Sequence, residues 1–377
     1  MPIQLLRCCW NRKDILIMRI GVIGATGHVG AGALRALEKE NHDVTAFYYT
    51  PEKAELLKKQ FPGKIRYEYL DVQDELLLSE TCEKCDILIN CAGPSSKLQD
   101  SIAICCVRAG KMYIDVAGGK NLRHKTEDDC SMYPGGSVIL GAGIYPGLTE
   151  IAGAAIAEKT ASLKKLKIFF HGNSTLSYAA AYDIVSGMEE SGDGMSYLKN
   201  GIITRISGDD KETKPVPFDQ LVTIPVLGDE YVEMAKKKGV PEAYFYHSFS
   251  DDKAMMDFIM IKALKQYETE DGKRKAAEKV QKLLYRPDEA REVIIAARYT
   301  YADPTEETGN FCMKSHEDWS LITGYIAGLT ALELADKSSA LQGVHYVSEV
   351  TNPARMVERL RDLCDIDISM NGKAESE

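Results

Sequence analysis

Met18-Arg19-Ile20-Gly21-Val22-Ile23-Gly24-Ala25-Thr26-Gly27-His28-Val29-Gly30 is the stretch on which the reading of this chain turns. Residues 19–23 form a short apolar run. Residues 28–40 then carry Val29, Ala33, Leu34 and Leu37 at helical spacing. A strand, a glycine turn and a helix in direct succession make a cradle for phosphate. Gly24 makes the tight turn, Gly27 admits a pyrophosphate without a Cβ in the way, and Gly30 lets the helix lie close to the sheet. Ala25, Thr26, His28 and Val29 complete the loop, and the amides at the helix start face the phosphate charge. A glycine-rich turn with no ligand is the bland alternative, and the units that follow weigh against it.

Outward from this turn the pattern repeats. Val44 to Tyr48 reads as a second strand and Pro51 to Gln60 as a helix with proline in its first turn. Strands follow at Ile65–Leu70, Asp86–Cys91, Met112–Val116 and Ser137–Leu140, with helices at Glu75–Glu83 and Lys97–Ala109. Such alternation implies a doubly wound parallel sheet of Rossmann type over residues 18–148. After about residue 148 the character changes. Leu166–Phe170, Ile202–Ile206, Leu221–Val226, Val293–Tyr301 and Phe311–Lys314 read as strands of an antiparallel or mixed sheet. Helices are expected at 149–159, 254–268, 274–284, 317–335 and 353–363. The expectation is an α/β chain with a second, α+β domain over 149–338. Residues 339–377 would return toward the first domain and fray beyond Met370.

Composition narrows the function. The 377 residues carry a formal charge of −10, which argues against a nucleic-acid binder. Short basic clusters, Lys164-Lys165 with Lys167 and Lys273-Arg274-Lys275, read as solvated faces. No apolar run approaches the length that spans a bilayer. Residues 1–17 hold Arg7, Arg12 and Lys13 and make a poor signal peptide, so they read as an extension outside the fold of a cytoplasmic protein. The ten cysteines are scattered or adjacent in pairs, which suits a reducing compartment. Cys82-Glu-Lys-Cys85 has the spacing of half a zinc site but no second pair near it, so two packing thiols are expected and no metal.

The end of the second strand bears on the cofactor. In Ala46 to Lys53 no carboxylate sits on the strand tip for a ribose hydroxyl, whereas Thr50 and Lys53 supply a donor and a cation, with Tyr49 standing where an arginine would decide for a phosphate. This favours NADP, with NAD the other possibility.

Several segments, in order, resemble the saccharopine dehydrogenase-like oxidoreductases. They are Gly24–Gly30, Leu70-Asp71-Val72, Ile89-Asn90-Cys91-Ala92-Gly93-Pro94, Tyr113-Ile114-Asp115-Val116-Ala117-Gly118 and Gly141-Ala142-Gly143-Ile144-Tyr145-Pro146-Gly147-Leu148. The resemblance covers residues 18–150. It is looser at Gly172–Gly201, Thr323 and Gly343-Val344. It implies that Asp71 and Val72 lie by the adenine and that Cys91, Ala92, Gly93 and Pro94 form a cofactor-ribose loop. It further implies a homodimer through the second sheet.

Hydride transfer places the reacting ring at the carboxyl ends of the strands, where Cys91–Pro94, Gly118 and Gly143 lie. Protons move as well, so a titratable group belongs nearby. Tyr145 is the best-placed donor by topology. Asp115 ends strand five, where it acts on substrate or caps a turn. His247 sits in the aromatic run Tyr244–Phe249, and Tyr182 with Asp183 is a further candidate for substrate contact. The chain shows no clear basic pair for two substrate carboxylates. That sets the chain apart from the saccharopine reaction itself, and the resemblance to a family that makes or breaks secondary amines implies imine reduction or amine oxidation on a small metabolite as the leading expectation. Enoyl-type reduction and a non-catalytic NADP-binding sensor are the alternatives.

Overall fold

The computed structural model describes residues 17–374 apart from 161, 190–192, 208–213, 304, 306–307, 337–340 and 372. Residues 1–16, and with them nearly all of the expected extension, lie outside the described residues.

Six βα units open the chain. They are β1 (Arg19–Ile23), α1 (His28–Leu37), β2 (Asp43–Tyr48), α2 (Pro51–Gln60), β3 (Arg66–Tyr69), α3 (Glu75–Lys84), β4 (Ile87–Asn90), α4 (Ser95–Arg108), β5 (Met112–Asp115), α5 (Lys120–Met132), β6 (Ser137–Leu140) and α6 (Leu148–Lys159). The strands are parallel, β1 lying between β2 and β4. Their side chains alternate between two cores. Ile20, Val22, Ile87, Ile89, Ile114 and Ile139 pack on one face, and Ile23, Phe47, Leu88, Tyr113 and Val138 on the other. A sheet apolar on both faces must be covered on both, which is why its strands read as continuous apolar runs. Helix α5 was not anticipated, because its sequence is largely polar. Leu122, Thr126, Asp129 and Cys130 still make a buried stripe at helical spacing.

A second sheet follows, built around β7 (Leu163–Asn173). The intervening elements are α7 (Tyr178–Ser186), β8 (Asp193–Gly194), β9 (Ser196–Lys199), β10 (Ile202–Arg205), β11 (Val222–Leu227), α8 (Asp229–Lys237), β12 (Glu242–Phe249), α9 (Asp252–Ala263), α10 (Glu270–Leu283), β13 (Glu292–Tyr301) and β14 (Gly309–Ser315). The sheet is mixed: β7 runs parallel to β12 and antiparallel to β13. The aromatic run 244–249 is thus a central strand, buried on both faces, so its sequence shows no alternation to mark it. Lys167, expected on a solvated face, is buried, with its ammonium 4.8 Å from the Tyr244 ring centre. The ring face offsets part of the cost of that burial.

The chain then returns. Helix α11 (Trp319–Ala335) lies along α1, and β15 (Gly343–Tyr346) adds to the first sheet beside β6. The contact between α1 and α11 is made backbone to backbone. A Cβ at Gly324 would stand 2.0 Å from the Val29 carbonyl oxygen, and one at Gly32 2.4 Å from that of Leu321. Farther along, Gly328 meets Ala33 and Ala36, and at the helix starts His28 lies 4.0 Å from Asp318, so the two helices run parallel with their N-termini at the same end. After α12 (Val347–Val350) and α13 (Pro353–Arg361), β16 (Asp367–Met370) joins the second sheet at β14. Of the segment beyond Met370, expected to fray, Asn371 makes a turn and β17 (Lys373–Ala374) pairs back on Ser369 and Met370, while residues 375–377 lie outside the described residues.

Candidate active site

The glycine turn has the geometry its sequence implies. Gly24 has φ +72°, and a Cβ there would meet the Cys91–Ala92 backbone at 2.6–2.7 Å. At Gly30 a Cβ would lie 2.3 Å from the Gly24 carbonyl oxygen, so α1 approaches the turn as closely as a helix can. Gly27 differs: it is exposed, and a Cβ would meet only the Gly24 oxygen, at 3.4 Å. Its open side is the face of a cradle at the start of α1, where no side chain caps the helix. A phosphate fits there and satisfies those amides. Ala25 is buried beneath the turn, Thr26 and Val29 are half-buried, and the His28 ring is exposed.

At the end of β2, Tyr49 is 63% exposed and stacks beside Tyr69, 48% exposed, with centroids 6.1 Å apart. Thr50 starts α2 without a side-chain cap bond, and Lys53 is exposed one turn on. Asp71 and Val72 follow β3 half-buried, the Asp71 carboxylate accepting from the Gln73 amide at 3.0 Å. A free hydroxyl, a helix start and a cation with no carboxylate at the strand tip suit a 2′-phosphate.

The loops after β4, β5 and β6 converge on the second sheet. Cys91 to Pro94 is held between the glycine turn and α7, since a Cβ at Gly93 would touch that of Ala179 at 3.1 Å. Pro94 gives α4 no side-chain cap. The cap comes instead from Asp183, which accepts from the Ser95 and Ser96 amides at 2.7 and 3.0 Å and the Ser96 hydroxyl at 2.8 Å. Beside it Tyr182 donates to Glu270 at 2.8 Å, and Lys97 pairs with the same carboxylate at 3.2 Å. Tyr182 and Asp183 thus fasten elements of the two sheets together. Gly118 (φ +79°) lies against Leu140, and Gly143 against the Val116 oxygen and Thr323.

Asp115 is placed differently from its catalytic reading. It is fully buried and accepts from the Tyr113 hydroxyl, from Asn90 Nδ2 at 3.2 Å and from the Ala117 amide at 2.9 Å. Burial raises its pKa, and the donors partly oppose that. Its oxygens hold the β5 loop, as in the turn-capping alternative.

Tyr145 and His247 do come together, their rings 5.8 Å apart. Tyr145 also stacks on Phe245 at 4.9 Å and leans on Phe170 at 5.1 Å. Burial, with the charges of Glu150 and Glu230, pushes its hydroxyl well above the usual tyrosine range and keeps it protonated. His247 is 9% exposed, and its Nδ1 has no hydrogen-bond partner. Burial, aided by His171, lowers its pKa to about 4, so the ring is neutral. Glu150, in the same turn as Tyr145, is buried and accepts from the Gly147 amide at 2.6 Å and the Thr149 hydroxyl at 2.7 Å. Burial still raises it to about 7. Sequence reasoning missed Phe170 and Trp319, which meet edge to face at 5.2 Å beside this pair. Only the fold brings these residues, distant in sequence, together. Cys82 and Cys85 are buried thiols with raised pKa values, that of Cys85 about 11. Among the described residues no cluster of His, Cys, Asp or Glu is arranged to hold a metal, and no helix is long and apolar enough to cross a membrane.

Residues 20–140 match the family described as the saccharopine dehydrogenase NADP binding domain. This part of the chain is similar to a saccharopine dehydrogenase-type nucleotide-binding domain. The chain is accordingly an NAD(P)-dependent oxidoreductase, with NADP its cofactor and NAD the other possibility. Among solved structures, apo saccharopine dehydrogenase (L-Glu forming) from Saccharomyces cerevisiae is similar over 95% of this chain and 100% of that one, at 14% identity and a TM-score of 0.67. The saccharopine dehydrogenase-like fold therefore extends through the second sheet. The WlbA dehydrogenase from Bordetella pertussis, in complex with NADH and UDP-GlcNAcA, aligns over 92% of this chain and 96% of that one at 10% identity and a TM-score of 0.42. No curated protein matches the sequence.

Proposed function

We propose that this protein transfers hydride to or from a carbon–nitrogen bond of a small metabolite, reducing an imine or oxidising a secondary amine. The observation that carries the reading is the Tyr145–His247 pair, set where the strand-end loops of an NADP-binding sheet meet the second sheet. The full-length likeness to an enzyme named saccharopine dehydrogenase (L-Glu forming) supports it.

The nicotinamide cofactor, when bound, supplies or accepts the hydride. Gly27 and the α1 amides hold the pyrophosphate, with Ala25, Thr26, His28 and Val29 around it. Tyr49, Thr50 and Lys53 hold the adenosine end, with Asp71 and Val72 beside it. Cys91, Ala92, Gly93, Pro94, Gly118 and Gly143 form the walls at the reacting end. The protonated Tyr145 hydroxyl is the donor toward the substrate nitrogen, and neutral His247 orients the substrate by accepting or donating one hydrogen bond. A phenol held protonated through neutral pH can give its proton only to a group becoming more basic, as nitrogen does when its double bond is reduced. Residues 18–148 act as the nucleotide-binding domain and 149–338 as the substrate domain. The protein works as a cytoplasmic homodimer.

The test follows NADPH absorbance with a panel of small imines, using cofactor deuterated on either face. Stereospecific loss of label into product amine is the expected result. Cofactor binding with no turnover of any imine, or turnover confined to carbon–carbon double bonds, overturns the reading.

A further inference from the structure

Beside Tyr145, the inner face of the second sheet carries a group of rings that the proton inventory does not use. His247, Phe170 and Phe249 form a floor: the His247 ring lies 5.8 Å from Phe170 and 4.9 Å edge-on from Phe249. Tyr145, Phe258 and Trp319 form a rim and stay half-exposed. Phe258 lies nearly parallel to His247 at 6.4 Å, and Trp319 stands at 84° to Phe170. Trp319 is held at its post by Gly172, where a Cβ would come within 2.6 Å of its ring. These residues come from β7, β12, α9, α11 and the β6–α6 loop, so the whole fold converges on the group.

Two observations point to a ligand. Nδ1 of His247 is buried without a partner, and a buried unpaired imidazole nitrogen costs free energy that a bound acceptor or donor would recover. The second is the kind of charge present. Burial and the neighbouring His171 account for the shift at His247, and the charges felt by Tyr145 are the carboxylates Glu150 and Glu230. A substrate carboxylate placed beside Tyr145 would meet aromatic rings and the like charge of Glu150 and Glu230.

We infer that the substrate enters this group ring first, as a flat, uncharged cyclic compound bearing the carbon–nitrogen bond, with His247 Nδ1 hydrogen-bonded to it, and not as a linear amino dicarboxylate. Aromatic walls recognise such a ring by offset or edge-on stacking, and one hydrogen bond fixes its orientation. The inference rests on the assignment of this cleft to substrate and narrows it to a chemical class.

Binding, read without turnover, tests it. In a Trp10→Phe background Trp319 is the single tryptophan, and its emission reports on the rim. NADP-loaded protein is titrated with 3,4-dihydroisoquinoline and, separately, with N-(1-carboxyethyl)alanine. Saturable quenching by the cyclic imine and none by the dicarboxylate is expected. His247→Phe should weaken the cyclic imine about tenfold, the worth of one neutral hydrogen bond, without changing NADPH affinity. His247→Asn, whose amide reaches the Nδ1 position, should restore most of it, and it serves as the test if the phenylalanine variant does not fold. Equal binding of the dicarboxylate, or unchanged imine affinity in both variants, overturns the inference. Turnover of the dicarboxylate would sink the substrate class and leave carbon–nitrogen chemistry standing. Tight binding of the cyclic imine without its reduction would do the reverse.

Discussion

Gly27→Val separates what the turn does for the cofactor from what it does for the fold. A Cβ at Gly27 meets one atom, the Gly24 oxygen, at 3.4 Å, and the residue is exposed. The valine methyls therefore project into the open cradle, with nothing in the protein to displace. Exposed substitutions of this kind change stability by about 0.5 kcal/mol or less, a shift of about 2 °C in Tm at most for a chain this long. The phosphates fare otherwise. Displacing them from the α1 amides loses about two charge-assisted hydrogen bonds at about 1.5–3 kcal/mol each. That is about 10²–10⁴ in Kd for NADPH. Gly30→Ala is the control with the opposite signature, because its Cβ would lie 2.3 Å from backbone and the helix must move. It should lose stability first, by about 1–3 kcal/mol or more. Calorimetric titration and thermal unfolding of the two variants decide the matter. Unchanged NADPH affinity in Gly27→Val, or loss of its fold, would refute the reasoning.

Replacing Thr50 and Lys53 together with alanine should weaken NADPH by about 1.5–3 kcal/mol while barely moving NADH; equal losses remove these residues from the phosphate site. Tyr145→Phe should lower turnover about 10²–10⁴-fold at unaltered cofactor affinity, and normal turnover would eliminate the tyrosine as donor. Glu150 and His247 should tilt the stability–pH curve in opposite directions. The folded pKa of Glu150 is raised to about 7, so its contribution is full below about pH 4.5 and fades as pH rises through 7, by about 3 kcal/mol. His247 is depressed to about 4, so its contribution is full above about 6.5 and is lost on acidification, by a similar amount. Denaturant unfolding between pH 4.5 and 7 should therefore show stability rising with pH in Glu150→Gln and falling in His247→Phe. Parallel curves for the two variants would contradict both assignments.

The first domain was legible because its determinants are local. Gly24, Gly27 and Gly30 act within one turn, and each parallel strand carries its own apolar run. The candidate site was legible only in part. Tyr145 could be placed from topology, since it follows a strand whose end faces the cofactor. His247 could be suspected from its composition of neighbours but not oriented, because its strand lacks the alternation that marks one. Asp115 could not be told from a cleft residue, since the Asn90 and Tyr113 partners that consume its oxygens lie on a neighbouring strand and on its own. Asp183 capping α4, and Trp319 against Gly172, are pairings across long stretches of chain. Nothing short of the fold announces them.

The lengthwise contact of α11 with α1 bears on how the molecule is made. The helix that carries half of the phosphate cradle exposes a glycine–alanine seam until α11 and β15 have emerged from the ribosome. Residues 18–148 alone would present that seam and an unpaired β6 edge to water, an invitation to association with other chains. Vectorial synthesis thus cannot finish the nucleotide-binding half first. Its completion waits on contacts of very large sequence separation, which slow folding and prolong the time during which the nascent chain needs protection. Cofactor affinity should accordingly appear late in translation, all at once, as the C-terminal helices dock.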